Sequence, residues 1–439
     1  MVQIGKIVSP FGKKTKQLQS KKTSKPVYTF LQELKFAQTP MEFHVYEASN
    51  QHPKRRKPIN HGKDSIFITP FYLPFELINK ILLNLPVKSL MKFKSVSKSW
   101  LVLISSAEFI NTHLSLSVNN KDFKSHKLIL RFDPPYCSLQ DCCFSSLFSC
   151  SVTEAFDLDY PVKNCNKFLS IVGSVNGLIC VAIEEKYLFI WNPSIRKCNK
   201  LPDSRASMNG NSCYMYGFGY DEIHDDYRVV AGFRSWNSYK VDIYSVNKDS
   251  WRSIDDFPSG VLFMKSGVFV NGKLHWAYSA VQSVISYDAW SVISINLPDG
   301  KWGKVEQPCY GEGVFDFTMG VLGGDLSVFC NYERIRADVW VLKEYGVKES
   351  WTKMFTINLP YDPVGYQCCP LFCLSNKGGI LFQFGSTFMI YNPKDDSIRY
   401  SEITCYNAFY EAYIFIESLV WPISTKPRMQ QQPRLEKLR

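Results

Sequence analysis

The sequence predicts a mainly β chain with a small α module ahead of it, and three observations carry the prediction. From about Ser125 onward, apolar residues alternate with a period of two in short β-branched and aromatic runs. Those runs recur with a repeat of about fifty residues. Before them stands one dense helical stretch, "LPFELINKILLNLPVKSLMKFKSVSKSW" at residues 73–100.

Residues 1–65 read as a disordered basic arm of Lys, Gln, Ser and Pro without a sustained apolar period. Of the formal net charge of +11, this arm carries +9 and the basic tail 426–439 carries +4, which leaves −2 on residues 66–425. The basicity therefore belongs to the ends, and no specific nucleic-acid partner is expected of the globular part. Within the arm, Lys54, Arg55, Arg56 and Lys57 form a compact cluster between Pro53 and Pro58, the pattern of a nuclear import signal. A distribution between nucleus and cytoplasm follows as an expectation. The first residues have lysines where a secretory signal needs an apolar core, and no apolar run reaches the roughly 18 residues of a membrane span. A soluble intracellular chain without a membrane partner is expected.

Leu77, Ile78, Ile81, Leu82 and Leu85 share one face of a helix that begins near Pro74 and ends before Pro86, with Leu83 off the stripe. Pro86 is placed to open a second helix at Val87, which carries Leu90, Met91 and Phe93. A third runs from about Ser97 to Ile104 with Trp100 and Leu101. Three short helices with apolar residues on more than one face cannot bury them all against each other, so the module needs a further surface.

In the β region, "LFIWNPSIRK", "VDIYSVNKDSW", "VISINLPDGKW", "DVWVLKEYGVKESW" and "FMIYNPKDDSI" each lead a strand into a turn. Their anchors Ile190, Ile243, Ile293, Val339 and Ile390 lie 53, 50, 46 and 51 residues apart. A second series places glycine turns at Gly177, Gly272, Gly324 and Gly379. A repeat near fifty in an all-strand region marks a kelch-type β-propeller of about six blades, because a four-stranded blade buries its faces only against other blades. The Asn-Gly pairs at 176 and 271 read as hairpin turns with φ > 0. The change of period near residue 118 suggests that the helical and β halves have independent cores.

Little in the chain suggests catalysis. The 14 cysteines are scattered and lack paired zinc-ligand spacing, and the 7 histidines are dispersed. No nucleophile elbow, phosphate loop or zinc-protease motif is present. His224, Asp225 and Asp226 in "EIHDDY" are better read as adjacent residues pointing to opposite sides of a strand, or as a solvated loop, than as an acid–base or metal cluster. No catalytic residue, metal or cofactor is expected.

Residues Leu73-Pro74, Glu76, Ile78, Ile81-Leu82, Leu85-Pro86-Val87-Lys88-Ser89-Leu90, Phe93, Val96, Lys98 and Trp100, followed by Phe109 and His113-Leu114, resemble an F-box over residues 71–116. Ser97 departs from the cysteine of many plant relatives. "GSVNGLICV", "FIWNPSIRKCNKLP", "YGFGYDEIHDDYRVV", "VDIYSVNKDSWRSI", "FVNGKLHWA" and "ISINL" are similar, in this order, to the F-box-associated domain of plant F-box/kelch-repeat proteins, over residues 119–425. The resemblance implies a substrate-recognition subunit of a Skp/cullin/F-box ubiquitin ligase. Leu73, Pro74, Ile78, Ile81, Leu82, Leu85, Pro86, Leu90, Val96 and Trp100 would then bind a Skp-type adaptor, and through it cullin and RING subunits. The propeller would capture a target protein that the sequence does not identify. The alternative is a propeller enzyme or carbohydrate-binding protein with an incidental helical N-terminus.

Overall fold

The computed structural model describes residues 73–132, 138–161, 163, 167–204, 213–235, 238–254, 257, 260–279, 290–310, 316–333, 335–359, 368–374, 378–384, 387–404 and 411–423. The basic cluster Lys54–Lys57 and the C-terminal tail lie outside them. The chain divides into two compact units, Met1–Ile78 and Asn79–Arg439. The division falls inside the first helix, so the rest of the helical module belongs to the same unit as all the strands.

The described strands form one sheet of eight strands and four smaller ones. The large sheet splits where Glu402–Thr404 pairs in parallel with Val152–Glu154, and each half is an antiparallel set of four. Six blades result, the number the repeat predicts. From inner to outer strand, blade I is Glu411–Ile416, His126–Arg131, Leu139–Cys143 and Val152–Asp157, and blade II is Leu169–Val175, Leu178–Ile183, Tyr187–Asn192 and Lys197–Lys200. Blade III comprises Cys213–Asp221, Asp226–Ser235, Ser238–Ser245 and Ser250–Ile254. Blade IV comprises Lys273–Ser279, Trp290–Asn296 and Trp302–Val305, with Val261–Leu262 and Val268–Val270 on its inner side. Blade V is Asp316–Leu322, Asp325–Tyr332, Arg336–Leu342 and Trp351–Asn358, and blade VI is Cys368–Leu374, Ile380–Phe384, Thr387–Asn392 and Ser397–Thr404.

Because side chains alternate across a strand, each blade feeds two seams. Ile129 joins Ile179, Val181 and Trp191 between blades I and II. Leu178, Cys180 and Ala182, from the other side of the same blade II strand, pack with Val229 and Ala231 of blade III. Val230 then turns the opposite way, onto Leu274 and Trp276 of blade IV. Further clusters join IV to V around Val292 and Val328, V to VI around Val339 and Phe382, and VI to I around Phe388 and Leu128. Every seam of the ring thus has its own core. The anchors Ile190, Ile243, Ile293, Val339 and Ile390 all lie buried on third strands.

Closure depends on a strand from far along the chain. Glu411–Ile416 pairs with His126–Arg131 from His126↔Ile416 to Arg131↔Glu411, supplying the inner strand of the first blade. The Arg131 guanidinium Nε donates to Glu411 Oε2 at 3.0 Å. Beyond this strand, the buried Asn192 donates from Nδ2 to the carbonyls of Ser418 (3.1 Å) and Val420 (2.9 Å). Gly177, at φ +80°, allows this passage: a Cβ there would lie 2.2 Å from Ser418 Oγ and 2.5 Å from the Ile416 carbonyl oxygen.

The tryptophans of the repeat are inter-blade ties. Trp251 Nε1 donates to the Pro202 carbonyl (2.7 Å), and Trp351 Nε1 donates to that of Glu306 (2.8 Å), each reaching the residues that leave the preceding blade. Asn176 (φ 54°) and Asn271 (φ 50°) hold the hairpin conformation expected of them. Ahead of the second strand of blade VI it is Gly378 that is left-handed (φ 86°), where the sequence suggested a turn at its neighbour Gly379. Helix α5, Phe144–Ser149, was not expected among the strands. It fills the VI–I seam with Phe144 and Leu147.

Antiparallel order also assigns two faces. First-to-second and third-to-fourth connections leave one face. Second-to-third and blade-to-blade connections leave the other. His126 and Ile416 are paired ends on the first face, so the helical module enters there and the C-terminal segment leaves there.

His275, buried in blade IV, is fixed as a neutral imidazole. Its Nδ1–H donates to the Val268 carbonyl (3.1 Å), which leaves Nε2 to accept from the Tyr345 hydroxyl (2.8 Å). Burial, the main cause, pulls its pKa from 6.5 down to about 4. Between those values the unfolded chain takes up a proton that the folded chain refuses, so stability is expected to be intact above pH 6.5 and to fall as pH drops toward 4. His126, also near 4, adds to the same window. Urea denaturation at pH 7 and pH 5 should show a larger loss for the wild type than for His275→Gln. Equal losses would contradict the assignment.

Candidate functional site

The helical module is built from α1 (Phe75–Leu83), α2 (Val87–Phe93), α3 (Lys98–Ser105) and α4 (Ala107–Val118). Pro86, extended at φ −59° and ψ 147°, stands immediately before α2 as expected of a residue with no N–H to satisfy. Ser97 begins α3, its Oγ accepting the Trp100 N–H (3.2 Å), and Ser106 begins α4 in the same way through Phe109 N–H (3.2 Å). The fourth helix was not read from the sequence as an element, although the Ser106 cap followed by Ala-Glu was its signal. His113 on α4 donates from Nε2 to the Leu85 carbonyl (3.0 Å) and is held below the ordinary imidazole range by burial, against that hydrogen bond.

Leu82, Val87, Leu90, Ile104 and Phe109 are buried within unit Asn79–Arg439. The structure therefore places Leu82 and Leu90, grouped in the sequence with the partner-facing residues, in the chain's own core. Leu73, Ile78, Ile81, Leu85, Val96 and Trp100 are half-buried, and Pro74 and Pro86 are exposed. Trp100 is steadied by an edge contact with Phe93, their centroids 5.6 Å apart. The open apolar positions include Phe75, Leu77, Met91, Leu101 and Val102, the last 70% exposed. The sequence marks Leu101 as an apolar residue of this helix, whereas Val102, one position on, falls off the Trp100–Leu101–Ile104 stripe and carries no signal.

Helix α4 also seats the module. Ile110 and Leu114 pack against the II–III cluster together with Trp421 and Ile423 of the C-terminal segment. Lys88 of α2 acts on the half-buried Glu417, whose carboxyl is pushed up by desolvation and by Asp141 while Lys127 and Lys88 oppose the shift. The independent cores expected on either side of residue 118 are thus joined by apolar contacts.

The "EIHDDY" turn is a closed polar network. The buried Asp221 accepts from His224 Nδ1 (2.7 Å) and Arg228 Nη2 (3.1 Å), and Asp226 accepts from Ser245 Oγ (2.6 Å) and the Asn247 N–H (2.9 Å). Burial raises the Asp221 pKa, but the bonds from His224 and Arg228 outweigh it and hold the carboxyl below its usual range. Asp225 accepts from Tyr220 at φ 47°. These carboxylates shape a hairpin. Among the described residues no group of three His, Cys, Asp or Glu is placed to hold a metal ion, and no single helix is long and apolar enough to cross a membrane.

A model of the F-box domain matches residues 71–112, and one of the F-box associated beta propeller domain matches residues 136–415. The chain belongs to this family of F-box proteins. F-box/kelch-repeat protein At3g23880 of Arabidopsis thaliana is 33% identical over 81% of this chain and 97% of its own length. F-box protein CPR1 of the same plant is 29% identical over 79% and 88%. Among solved structures, the Dos1 propeller aligns with 63% of this chain and 64% of its own at a TM-score of 0.30 and 11% identity. In general terms the F-box protein is a substrate adaptor whose F-box receives a Skp-type adaptor, and its relatives suggest a non-catalytic role. The departure at Ser97 has a structural meaning, since the hydroxyl caps α3. Ser97→Ala is expected to cost about 1 kcal/mol, measured as a shift of the urea midpoint at unchanged slope, while Ser97→Asp retains most of the wild-type stability.

Proposed function

We propose that this F-box protein is the receptor subunit of a Skp/cullin/F-box ubiquitin ligase. The helices bind the Skp-type adaptor and through it cullin and RING subunits, and the propeller holds a target protein for ubiquitin transfer by those partners. The observation that carries the adaptor half is the exposure of Leu101 and Val102 on a helix whose neighbours Ile104 and Leu90 are fully buried. An apolar surface left open beside a completed core fits a partner, not internal packing. For the target, the face away from the helices offers exposed Phe168, Phe263 and Ile335 beside blade-to-blade connections. Such loops carry recognition on a rigid scaffold.

Val102→Asp and Leu101→Asp should weaken adaptor binding at least about tenfold by placing a carboxylate in a desolvated contact, with little change in Tm. Leu90→Asp, in contrast, should unfold the module. Unaltered binding by folded Val102→Asp and Leu101→Asp in a surface-plasmon assay with purified adaptor would remove the proposed docking surface.

The same proposal assigns the protein to both nucleus and cytoplasm, with Lys54–Lys57 as import signal. Replacing those four residues by alanine should shift a fluorescent fusion toward the cytoplasm and leave adaptor binding unchanged. Identical distributions would leave the cluster without an import role.

A further inference from the structure

Between Glu76 and Glu108 the chain has Lys80, Lys88, Lys92, Lys94 and Lys98 and no Asp or Glu at all. Residues 66–425 as a whole carry −2, so this local excess of positive charge is offset elsewhere in the globular chain. Lys92 and Lys98 are exposed and Lys94 half-buried. Among the described residues none of the five makes an ion pair within 4 Å, although Lys80 follows Glu76 by four residues on α1 and Lys88 acts on Glu417.

The propeller adds to this charge. The blade II hairpin between Asn192 and Lys197 presents exposed Arg196 at φ 53° and exposed Lys197. Lys197 extends over Trp421, with Nζ 5.7 Å from the ring centroid, and Trp421 is part of the seat that receives Ile110 and Leu114 of α4. Seating the helices on Trp421 thus puts Lys94 within electrostatic reach of Lys197. Burial first, and Lys197 second, hold the Lys94 ammonium below its ordinary pKa. Two cations brought together by apolar packing repel each other, and an anion placed against both relieves that repulsion.

We infer that Lys92, Lys94 and Lys98, with Arg196 and Lys197 of the propeller, form one composite cationic surface that receives an acidic segment, rich in Asp and Glu, of the Skp-type adaptor. The inference rests on the adaptor reading above and adds the chemistry of the contact. Two features favour this occupant. The lysines are interleaved with exposed apolar Met91, Leu101 and Val102, a mixture that a polypeptide with both apolar and acidic residues complements and a phosphate backbone does not. The surface also spans both halves of the chain, so its occupant binds beside the open helical face while touching the propeller. Charge at such a rim acts mainly on the rate of encounter.

The test uses the full-length protein and purified Skp-type adaptor in stopped-flow or surface-plasmon measurements over a range of NaCl. The wild-type association rate is expected to fall at least about tenfold between low and moderately high salt. Lys94→Glu combined with Lys197→Glu should lower the low-salt rate by about tenfold and flatten its salt dependence, with the dissociation rate nearly unchanged. Lys94→Arg with Lys197→Arg should keep the wild-type rate, which separates charge from packing. Lys240→Glu, an exposed change on blade III, should leave it untouched. A soluble polyglutamate peptide should compete with the adaptor for the wild type and not for the charge-reversed pair. Adaptor binding that is firm but indifferent to salt and to charge reversal overturns the inference and leaves the adaptor reading standing. Loss of duplex or single-stranded nucleic-acid binding in the charge-reversed protein, with adaptor rates unchanged, overturns it in favour of a nucleic-acid surface. No adaptor binding by the wild type at any salt overturns both readings.

Discussion

The pairing of Glu411–Ile416 with His126–Arg131 is the constraint on which the rest of the β structure depends. A blade buried on both faces has no stable existence alone, because each of its strands offers apolar residues to two sides. A row of such blades would end in two uncovered faces. Drawing the last strand into the first blade removes both ends at once, and the buried clusters at all six seams follow from that closure. The parallel pairing of Glu402–Thr404 with Val152–Glu154 and the Arg399 guanidinium, which donates to the Phe148 carbonyl at 2.9 Å, reinforce the same seam from its outer edge. The closing junction therefore has main-chain contacts at both its inner and outer edges.

Closure also decides where the helices can sit. The inner strand of blade I ends at Ile416 on the face where the chain enters at His126, so the segment that follows, Glu417–Ile423, runs beside the entering chain. Asn192 ties that segment to blade II, and Trp421 and Ile423 extend the apolar seat on which Ile110 and Leu114 rest. The propeller's closure and the seating of the F-box are successive uses of one stretch of chain. The C-terminal segment joins them across more than two hundred residues of sequence, as the Asn192–Val420 contact shows.

Much of this was legible because propellers repeat. The alternation of apolar residues in "LICVAI" and "YLFIW", the anchors from Ile190 to Ile390, and the tryptophans at 251 and 351 are the same physical demands met blade after blade, and repetition makes a demand visible in one sequence. What happens once was harder to see. Among the described residues helix α5 fills one seam, and α4 is the helix seated on the II–III cluster. The candidate site shows the sharper limit. A helical stripe shows which residues need cover but not what covers them: Leu82 and Leu90 share the character of Leu85 and Trp100, yet the chain itself buries the first pair and leaves the second partly open. Val102 carried no periodic signal because it stands off the face that Trp100, Leu101 and Ile104 share. Lys94 and Lys197 meet only after the helices are seated, so their joint charge has no sequence signature.

The two faces of the ring are under different rules, and the difference bears on function. On the helical side, hairpins depend on Asn176-Gly177, Asn271-Gly272 and the left-handed residues Arg196, Asp225, Asp249 and Asp396, several tied by side-chain bonds such as Tyr244 to Asp249. Substitution there disturbs turn geometry or the close passage of Ser418 beside Gly177. The other face receives the strand ends at Lys200, Ile254, Val305, Asn358 and Thr404, from which the chain must reach the next blade. The length and composition of those crossings are not set by a two-residue turn, and loops of this kind accept change more readily than the elements they join. On the reading proposed above, the adaptor meets the face held by these turns, and a target would meet the face with the crossings. Strand direction sends the first-to-second and third-to-fourth turns to the helical face and every blade-to-blade crossing to the other, where the crossings stand beside tight second-to-third turns such as Glu184-Glu185 (φ 54° and 52°) and Glu333 (φ 50°).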